Sequence, residues 1–376
     1  MNRAPDWILF PAAAWFWLAA PAQAEVRLWE REGFKLDLAL TATTGYFHTE
    51  SVNFGAGRRE PDGTVDTRVH WAEGFIEPVL KAAYDSDAWG TLYGGLGYVG
   101  ALTRGEGDAG GFTRGTAEDI ATEHLYFGWR SGQLFPALGE NAIDLSYGRQ
   151  EFRLGEGFIL SDGNLDIGAK GTYFLMPRTA FERAALLRFN LTPVRADLFY
   201  LSSDADQANT ELAGINLEYV EEALGTFGIS YFHITDSASP LRNGMHVLSL
   251  RGKGRPLDPH VFLAAEYVLE EHSGAVQAHA WYVEAGYTWV QGPGSPGLHY
   301  RFSHYSGDDP ISGENESFDP LFYDPLFYTY NPERVWGTWT QGEITGAYLL
   351  FNSNLNIHMV QLKPYRSERV DWGVIY

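Results

Sequence analysis

"FKLDLALT", Phe34 to Thr41, places Phe34, Leu36, Leu38 and Leu40 on one side of an extended chain and Lys35, Asp37 and Thr41 on the other. Successive side chains of a strand point to opposite faces, so a period of two marks a strand and not a helix. The alternation returns in "VRADLFYL", where Val194, Ala196, Leu198 and Tyr200 oppose Arg195, Asp197 and Phe199. It returns again in "LAGINLEYV", with Ala213, Ile215, Leu217 and Tyr219 against Gly214, Asn216 and Glu218. One face is aliphatic and aromatic; the other carries charges in mid-strand. Repeated in segments of about ten residues, each closed by a turn, this pattern predicts an all-β fold, an antiparallel transmembrane β-barrel with its apolar face to lipid and its polar face to a lumen. Lipid offers backbone amides no water, so such a sheet must close on itself.

Strands are expected over 34–46, 71–84, 91–103, 118–130, 143–153, 181–190, 194–202, 211–221, 224–234, 243–253, 260–270, 277–290, 297–305, 336–350, 353–364 and 368–376, sixteen in all. Short connections such as Asn190–Pro193 alternate with long polar ones at 104–117 and 306–335, the asymmetry of short periplasmic turns and long outer loops. Trp129, Trp281, Tyr287 and Trp289 fall near strand ends, where an amphipathic ring straddles a membrane interface. A secreted β-sandwich or propeller also alternates and is also rich in glycine, and a secreted all-β ligand-binding protein is the alternative reading.

The N-terminus carries Arg3, an apolar run from Trp7 to Ala20, and then Ala22-Gln23-Ala24. A basic start, a short apolar core and a small-x-small site form a secretory signal, so residues 1–24 are expected to be cleaved and 25–376 to form the barrel with its long extracellular loops. The mature chain is therefore expected to leave the cytoplasm, and with the barrel pattern its expected place is an outer membrane. The chain of 376 residues has no cysteine, which removes disulfides, thiolate metal sites and a cysteine nucleophile. Its 27 basic and 48 acidic residues give a net charge of −21, unsuited to neutralising nucleic-acid phosphates.

Two glycine triplets, Gly95, Gly97, Gly100 and Gly105, Gly107, Gly110, match a dinucleotide fingerprint. Neither follows a strand and opens a helix, the context that gives the motif its function. No His-Glu-x-x-His pair or Gly-x-Ser-x-Gly elbow occurs. His124, His299 and His358 are expected on inward faces, but nothing pairs a nucleophile with a base, so no catalytic residue, cofactor or resident metal is expected. The loop "SGDDPISGENESFDPLFYDPLFY" is dense in carboxylates, including Asp308, Asp309 and Asp319, and duplicates Asp-Pro-Leu-Phe-Tyr at 319–323 and 324–328. Its acids match no EF-hand spacing and read as a solvated loop, with calcium binding left open. Its aromatics would be costly in water, so this loop, with Pro320 and Phe322, is expected to fold over or into the barrel mouth.

"YSGDDP" at 305–310, "FDPLFY" at 318–323, "W-x-x-W-x-QGEI" from Trp336 to Ile344, and "YGRQEFRLGEG" from Tyr147 to Gly157 resemble the alginate-export family of Gram-negative outer-membrane porins. The likeness runs from about residue 33 to the end. It implies a monomeric barrel of eighteen strands that passes a polysaccharide or a smaller polar solute across the outer membrane, in contact with its lipid. It also implies that Arg149 and Arg153 line the constriction. By alternation Arg149 shares a side with Tyr147, so it turns inward only if the strand bulges near Gly148.

Other inward positions by alternation are Lys81, Arg195 and Arg301, together with Glu77, Asp144, Asp197, Glu218, Glu266 and Glu284. The set is mixed in sign, unlike the positive ring a polyanion filter would show. The terminal "RVDWGVIY" reads as a strand stopped in mid-pattern. With sixteen strands visible of eighteen implied, the expectation is a barrel lacking one hairpin, with an open slot between strand 34–46 and the last strand.

Overall fold

The computed structural model describes residues 14–18, 22–164, 170–173, 175–204, 208–289, 294–323, 353–366 and 371–375. Seventeen strands belong to one antiparallel sheet. They are β1 (Ala14–Leu18), β2 (Ala22–Arg31), β3 (Phe34–Glu50), β6 (Arg68–Ser86), β7 (Gly90–Gly105), β8 (Ala117–Arg130), β9 (Ile143–Gln150), β10 (Phe181–Leu191), β11 (Val194–Ser202), β12 (Glu211–Glu221), β13 (Gly225–Asp236), β14 (His246–Gly254), β15 (Val261–His272), β16 (Val276–Thr288), β17 (Gly297–Tyr305), β18 (Leu355–Arg366) and β19 (Asp371–Ile375). A small ribbon, β4 (Arg58–Arg59) with β5 (Val65–Asp66), stands apart in the loop before β6. The one helical element among the described residues is a 3-10 turn at Val52–Gly55.

From β6 onward each strand of the main sheet pairs with the next in sequence. β3 gives one edge to β6 along its whole length. Its other edge takes β2 at Phe34–Ala42 and β1 at Gly45–Thr49. Because β1 and β2 share one place, the seventeen strands occupy sixteen positions. Residues 14–31 thus occupy the edge of β3 beside which the open slot was expected, and Tyr376 lies outside the described residues. The expected strand 336–350 also lies outside the described residues; Gly297–Tyr305 pairs with Leu355–Lys363. Every other expected strand is present. The turn from β2 to β3 is two residues, Glu32 at φ 50 and Gly33 at φ 84, the left-handed pair whose twist suits a tight hairpin.

Along many strands the burial is inverted relative to a protein that hides its apolar side chains. Leu145, Leu198, Leu250 and Leu362 are 43–50% exposed, while Asp197, Asn216, Ser249, Glu266, Glu284 and Arg301 are at most 3% exposed. The same strands supply both sets, on alternate residues. The outer wall is thus apolar, as the dyad pattern predicts, while the inner wall is polar over part of its area and apolar where Phe199, Leu212, Phe232 and Val247 lie buried. Gly95 and Gly100 lie within β7, and a Cβ on Gly95 would stand 2.6 Å from Cε1 of Tyr126. Close packing across strands accounts for that glycine, and β7 opens no helix.

Candidate functional site: two infolded loops and a charged cavity

In the loop between β9 and β10 the described stretch 151–164 turns inward. Phe152, Leu154, Phe158, Ile159 and Leu160 are buried against inward residues of β11 to β18, among them Phe199, Phe232, Val247 and Tyr282. The loop after β17 joins them, with Phe318, Leu321 and Phe322 buried in the same cluster. The two loops clasp through backbone: Ser161 and Asp162 N–H donate to the Phe322 carbonyl at 2.6 and 3.0 Å, and Phe322 N–H donates to the Ile159 carbonyl at 3.1 Å. Phe158 sits among rings, 5.1 Å from Tyr282, 5.7 Å from Tyr305 and 6.4 Å from Phe318 between centroids. The first Asp-Pro-Leu-Phe-Tyr copy therefore packs inside the barrel; the second, 324–328, lies outside the described residues.

The carboxylates of this loop shape it. Asp308 accepts from Glu316 N–H at 3.1 Å, Asp309 from Ile311 N–H at 3.0 Å, and Glu316 from Asp309 N–H at 3.2 Å. Asp308 and Asp309 remain exposed, and Pro320 is half-buried. Asp319 takes two bonds from Arg242, at 2.6 and 2.7 Å, while its own N–H donates to the buried Glu270 at 2.9 Å. Among the described residues no group of three or more His, Asp or Glu is placed to hold a metal ion.

Two buried glutamates tether the first loop to the opposite wall. Glu73 on β6 accepts from Trp71 Nε1 at 2.9 Å and Leu175 N–H at 3.0 Å. Glu123 on β8 accepts from the N–H groups of Thr179 and Ala180 at 2.8 and 2.7 Å. Simple alternation from His124 would point Glu123 outward. The register with β7 slips between Gly97 and Tyr98, so Gly97 faces His124 and Tyr98 faces Thr122; the extra residue is Glu123, turned inside. A bulge of this kind leaves alternation intact on both sides, and no residue type in "IATEHLYF" announces it.

Arg149 shows the same effect at a predicted position. The register of β9 with β10 shifts beside it, and Gly148 has φ 131. Arg149 consequently bonds Asp204 through Nη2 at 2.6 Å, and Asp204 also receives Arg178 at 3.2 Å. Arg153 lies on the infolded loop beyond the end of β9 at Gln150, so the expected strand 143–153 is shorter by three residues. Its Nε donates to Ser161 Oγ at 2.9 Å.

Between this loop and the wall, toward the short-turn end, is a cavity of about 310 Å³ whose charged lining is Arg153, Glu156, Arg195, Glu218, Arg251 and Lys253. Glu218 bonds Arg251 at 2.7 Å and stands 3.9 Å from Arg195. Arg195 also reaches Asp197 at 3.2 Å, and Lys253 lies 3.4 Å from Glu156. Arg251 is further held by Ser230 at 2.7 Å and by Asn216. It runs between two glycines: a Cβ on Gly155 would meet its Cδ at 2.6 Å, and one on Gly228 its Cζ at 2.7 Å. Sequence alternation put Arg195 and Glu218 inward but gave no hint of Arg251 or Lys253 as their neighbours, because adjacency across β11 to β14 is set by register.

Glu266 is buried and accepts from Ser249 at 2.8 Å. Deeper in the same wall, Glu284, His299 and Arg301 are buried together, His299 at 3.5 Å and Arg301 at 3.9 Å from Glu284, with the guanidinium 3.6 Å above the Tyr282 ring. Across the lumen, Glu77 meets His124 at 2.9 Å, Lys81 meets Glu25 at 3.5 Å, and Asp144 accepts from Arg130 at 3.2 Å and from the Tyr93 hydroxyl. His358 does not join the inward histidines. It pairs with outward Phe302 and is exposed alongside Val360 and Leu362; the parity of β18, set by its register with β17, turns it outward. The structure therefore gathers Arg153, Arg195 and Glu218 at one cavity and leaves Glu77, Lys81 and Asp144 on the facing wall. The arrangement offers paired charges and hydrogen-bonding groups to a polar guest.

No family model matches the sequence, and no curated protein matches it. Among solved structures it is similar to the low-pH structure of Pseudomonas putida OprB, at 10% identity and a TM-score of 0.32, over 78% of this chain and 77% of that one. It is also similar to the crystal structure of Pseudomonas aeruginosa OccK7 (OpdD), at 12% identity and a TM-score of 0.25, over 78% of this chain and 91% of that one. Likeness at this level assigns no function, which has to be read from the barrel's own surfaces.

Proposed function

We propose that this chain is a passive channel of a Gram-negative outer membrane, passing small polar solutes through a lumen narrowed by its two infolded loops. The observation that carries the reading is the outer wall: exposed aliphatic and aromatic side chains alternate, residue by residue, with buried inward ones that include Asp197, Glu266, Glu284 and Arg301. A secreted barrel or sandwich would set its polar face to water and its apolar face to a core. Here the exposed face would have to meet hydrocarbon.

Residues 1–24 act as the export signal in this reading, and Glu25–Arg31 keep their pairing with Phe34–Ala39 after its removal. The mixed charges of the lumen favour a small polar solute over an extended polyanion such as alginate, since Arg149, Arg195 and Arg251 each meet a carboxylate. Arg153, Arg195, Arg251 and Lys253 outnumber Glu156 and Glu218 at the cavity, which gives solute anions a modest advantage there. The chain acts as a monomer.

Reconstitution in a planar bilayer tests the reading. Folded protein is expected to give discrete conductance steps. A preparation that inserts, shows β-sheet by circular dichroism and passes no ions overturns it. Solubility of the folded protein without detergent would favour the secreted binding protein instead.

A further inference from the structure

Seven histidines stand on the outer wall, each within three residues of the long-loop end of its strand. His48 and His70 face each other across β3 and β6 and each has a carboxylate partner, Glu50 at 3.6 Å and Glu106 at 2.8 Å. The other five, His233, His246, His279, His304 and His358, lie on β13, β14, β16, β17 and β18. Register relates them. His233 pairs with His246, which pairs with Glu271, which pairs with Gln277, two residues short of His279. His304 pairs with Trp281, two residues beyond His279, and Asn356 pairs with His304, two residues short of His358. Each of these steps runs the same way, which is the stagger that tilted barrel strands impose on points at one height. The five imidazoles thus form an arc at the level where the outer wall meets the long loops.

Their neighbours are mostly aromatic and neutral. His233 and His246 stack at 4.3 Å, and Tyr231 Oη meets His246 Nδ1 at 2.6 Å. His279 stacks on Tyr267 at 6.2 Å and lies 5.4 Å from His304, which meets Asn356 at 2.7 Å. His358 meets Tyr300 Oη at 2.7 Å. The carboxylates facing the arc are Glu271, opposite His246, and Glu316, near His279.

Given the membrane reading, on which this inference rests, we infer that the arc from β13 to β18 is a docking surface for the phosphate-bearing headgroups of outer-leaflet lipid, engaged when its imidazoles protonate. Imidazole is the side chain whose ordinary charge change falls between about pH 5 and pH 8. Tyr and Trp in the same band would hold the glycolipid at the interface. Cationic residues near an anionic membrane surface attract lipid phosphates, by about fivefold in occupancy for each charge gained.

The test uses folded full-length chain in nanodiscs of phosphatidylcholine doped with a fluorescent bis-phosphorylated lipid A, compared at about pH 5.5 and about pH 8. Enrichment around the protein is expected to rise at least about fivefold at the lower pH, and inorganic phosphate should compete only weakly. A variant with His233, His246, His279, His304 and His358 each changed to Gln should lose the rise while keeping wild-type conductance. His260→Gln, at the short-turn end, should keep both. Enrichment that ignores pH, or survives in the five-histidine variant, overturns the docking surface. Folded protein that will not enter the nanodisc overturns the membrane reading itself, and inserted protein with no conductance overturns the channel alone.

Discussion

Arg242, in the loop between β13 and β14, grips Asp319 with both arms of its guanidinium, Nε to Oδ2 at 2.6 Å and Nη2 to Oδ1 at 2.7 Å. The pair joins two loops that are far apart in sequence, and Asp319 N–H is meanwhile held by Glu270. Fork-to-fork geometry fixes direction as well as distance, so this contact sets where the loop after β17 enters the lumen.

Arg242→Ala is expected to free that loop, raising single-channel conductance and adding rapid flicker. The pair is partly exposed, so the stability lost should be only about 1–2 kcal/mol. Asp319→Asn should do the same, and the double variant should cost less than the two singles added. Conductance indistinguishable from wild type in both variants would show that the pair does not position the loop.

Phe158→Ala removes a ring that touches Tyr282, Tyr305 and Phe318. Deleting a buried phenyl group costs about 3–5 kcal/mol, here charged to loop docking more than to the hydrogen-bonded wall. Limited proteolysis should then cut within residues 151–180 while heat-resistant electrophoretic mobility of the barrel persists. A loop that stays protected would mean that backbone bonds to Phe322 suffice.

Glu218→Gln takes away the carboxylate shared by Arg195 and Arg251 at the cavity. The reversal potential in a salt gradient should move toward anions. Gly228→Ala is expected to act differently, forcing the Arg251 guanidinium into the cavity and lowering conductance, since a Cβ there would lie 2.7 Å from its Cζ.

In the loop before β6, hydrogen bonds from the Thr64 hydroxyl and N–H hold the Asp62 carboxyl below its usual range. A depressed carboxyl favours the folded turn above its ordinary value and loses that contribution as pH falls through the depressed one. Amide exchange at Gly63 and Thr64 should therefore quicken under acid conditions. Thr64→Ala should abolish the depression, read by carbon NMR of the Asp62 carboxyl.

Much of this wall was legible because alternation is a local property. "VRADLFYL" already sets Asp197 and Phe199 on the face that proves inward, and strands 194–202, 211–221 and 297–305 have the expected bounds. What alternation cannot carry is a slip of one residue. Glu123 and Arg149 both turn inward at irregular pairings, and only the glycine at 148 hinted at either. Register is a relation between distant segments, so the company of Arg251 and the outward turn of His358 were equally hidden. That the sheet runs one strand beyond β3 went unforeseen for another reason: the alternation is read only from Phe34 onward, after the export pattern of residues 1–24, and Glu25–Arg31 in between also pair.

The infolded loop has a consequence for anyone who would widen the channel by cutting it away. In the long-loop half of β11 to β15 the inner wall is itself apolar, with Leu201, Leu212, Phe232, Ile234, Val247 and Val268 all buried. Stripped of Phe152 through Leu160, that surface would not become a water-filled bore. A narrow passage lined by such side chains expels water and blocks ions without any steric obstruction. Shortening the loop should close the pore by drying it.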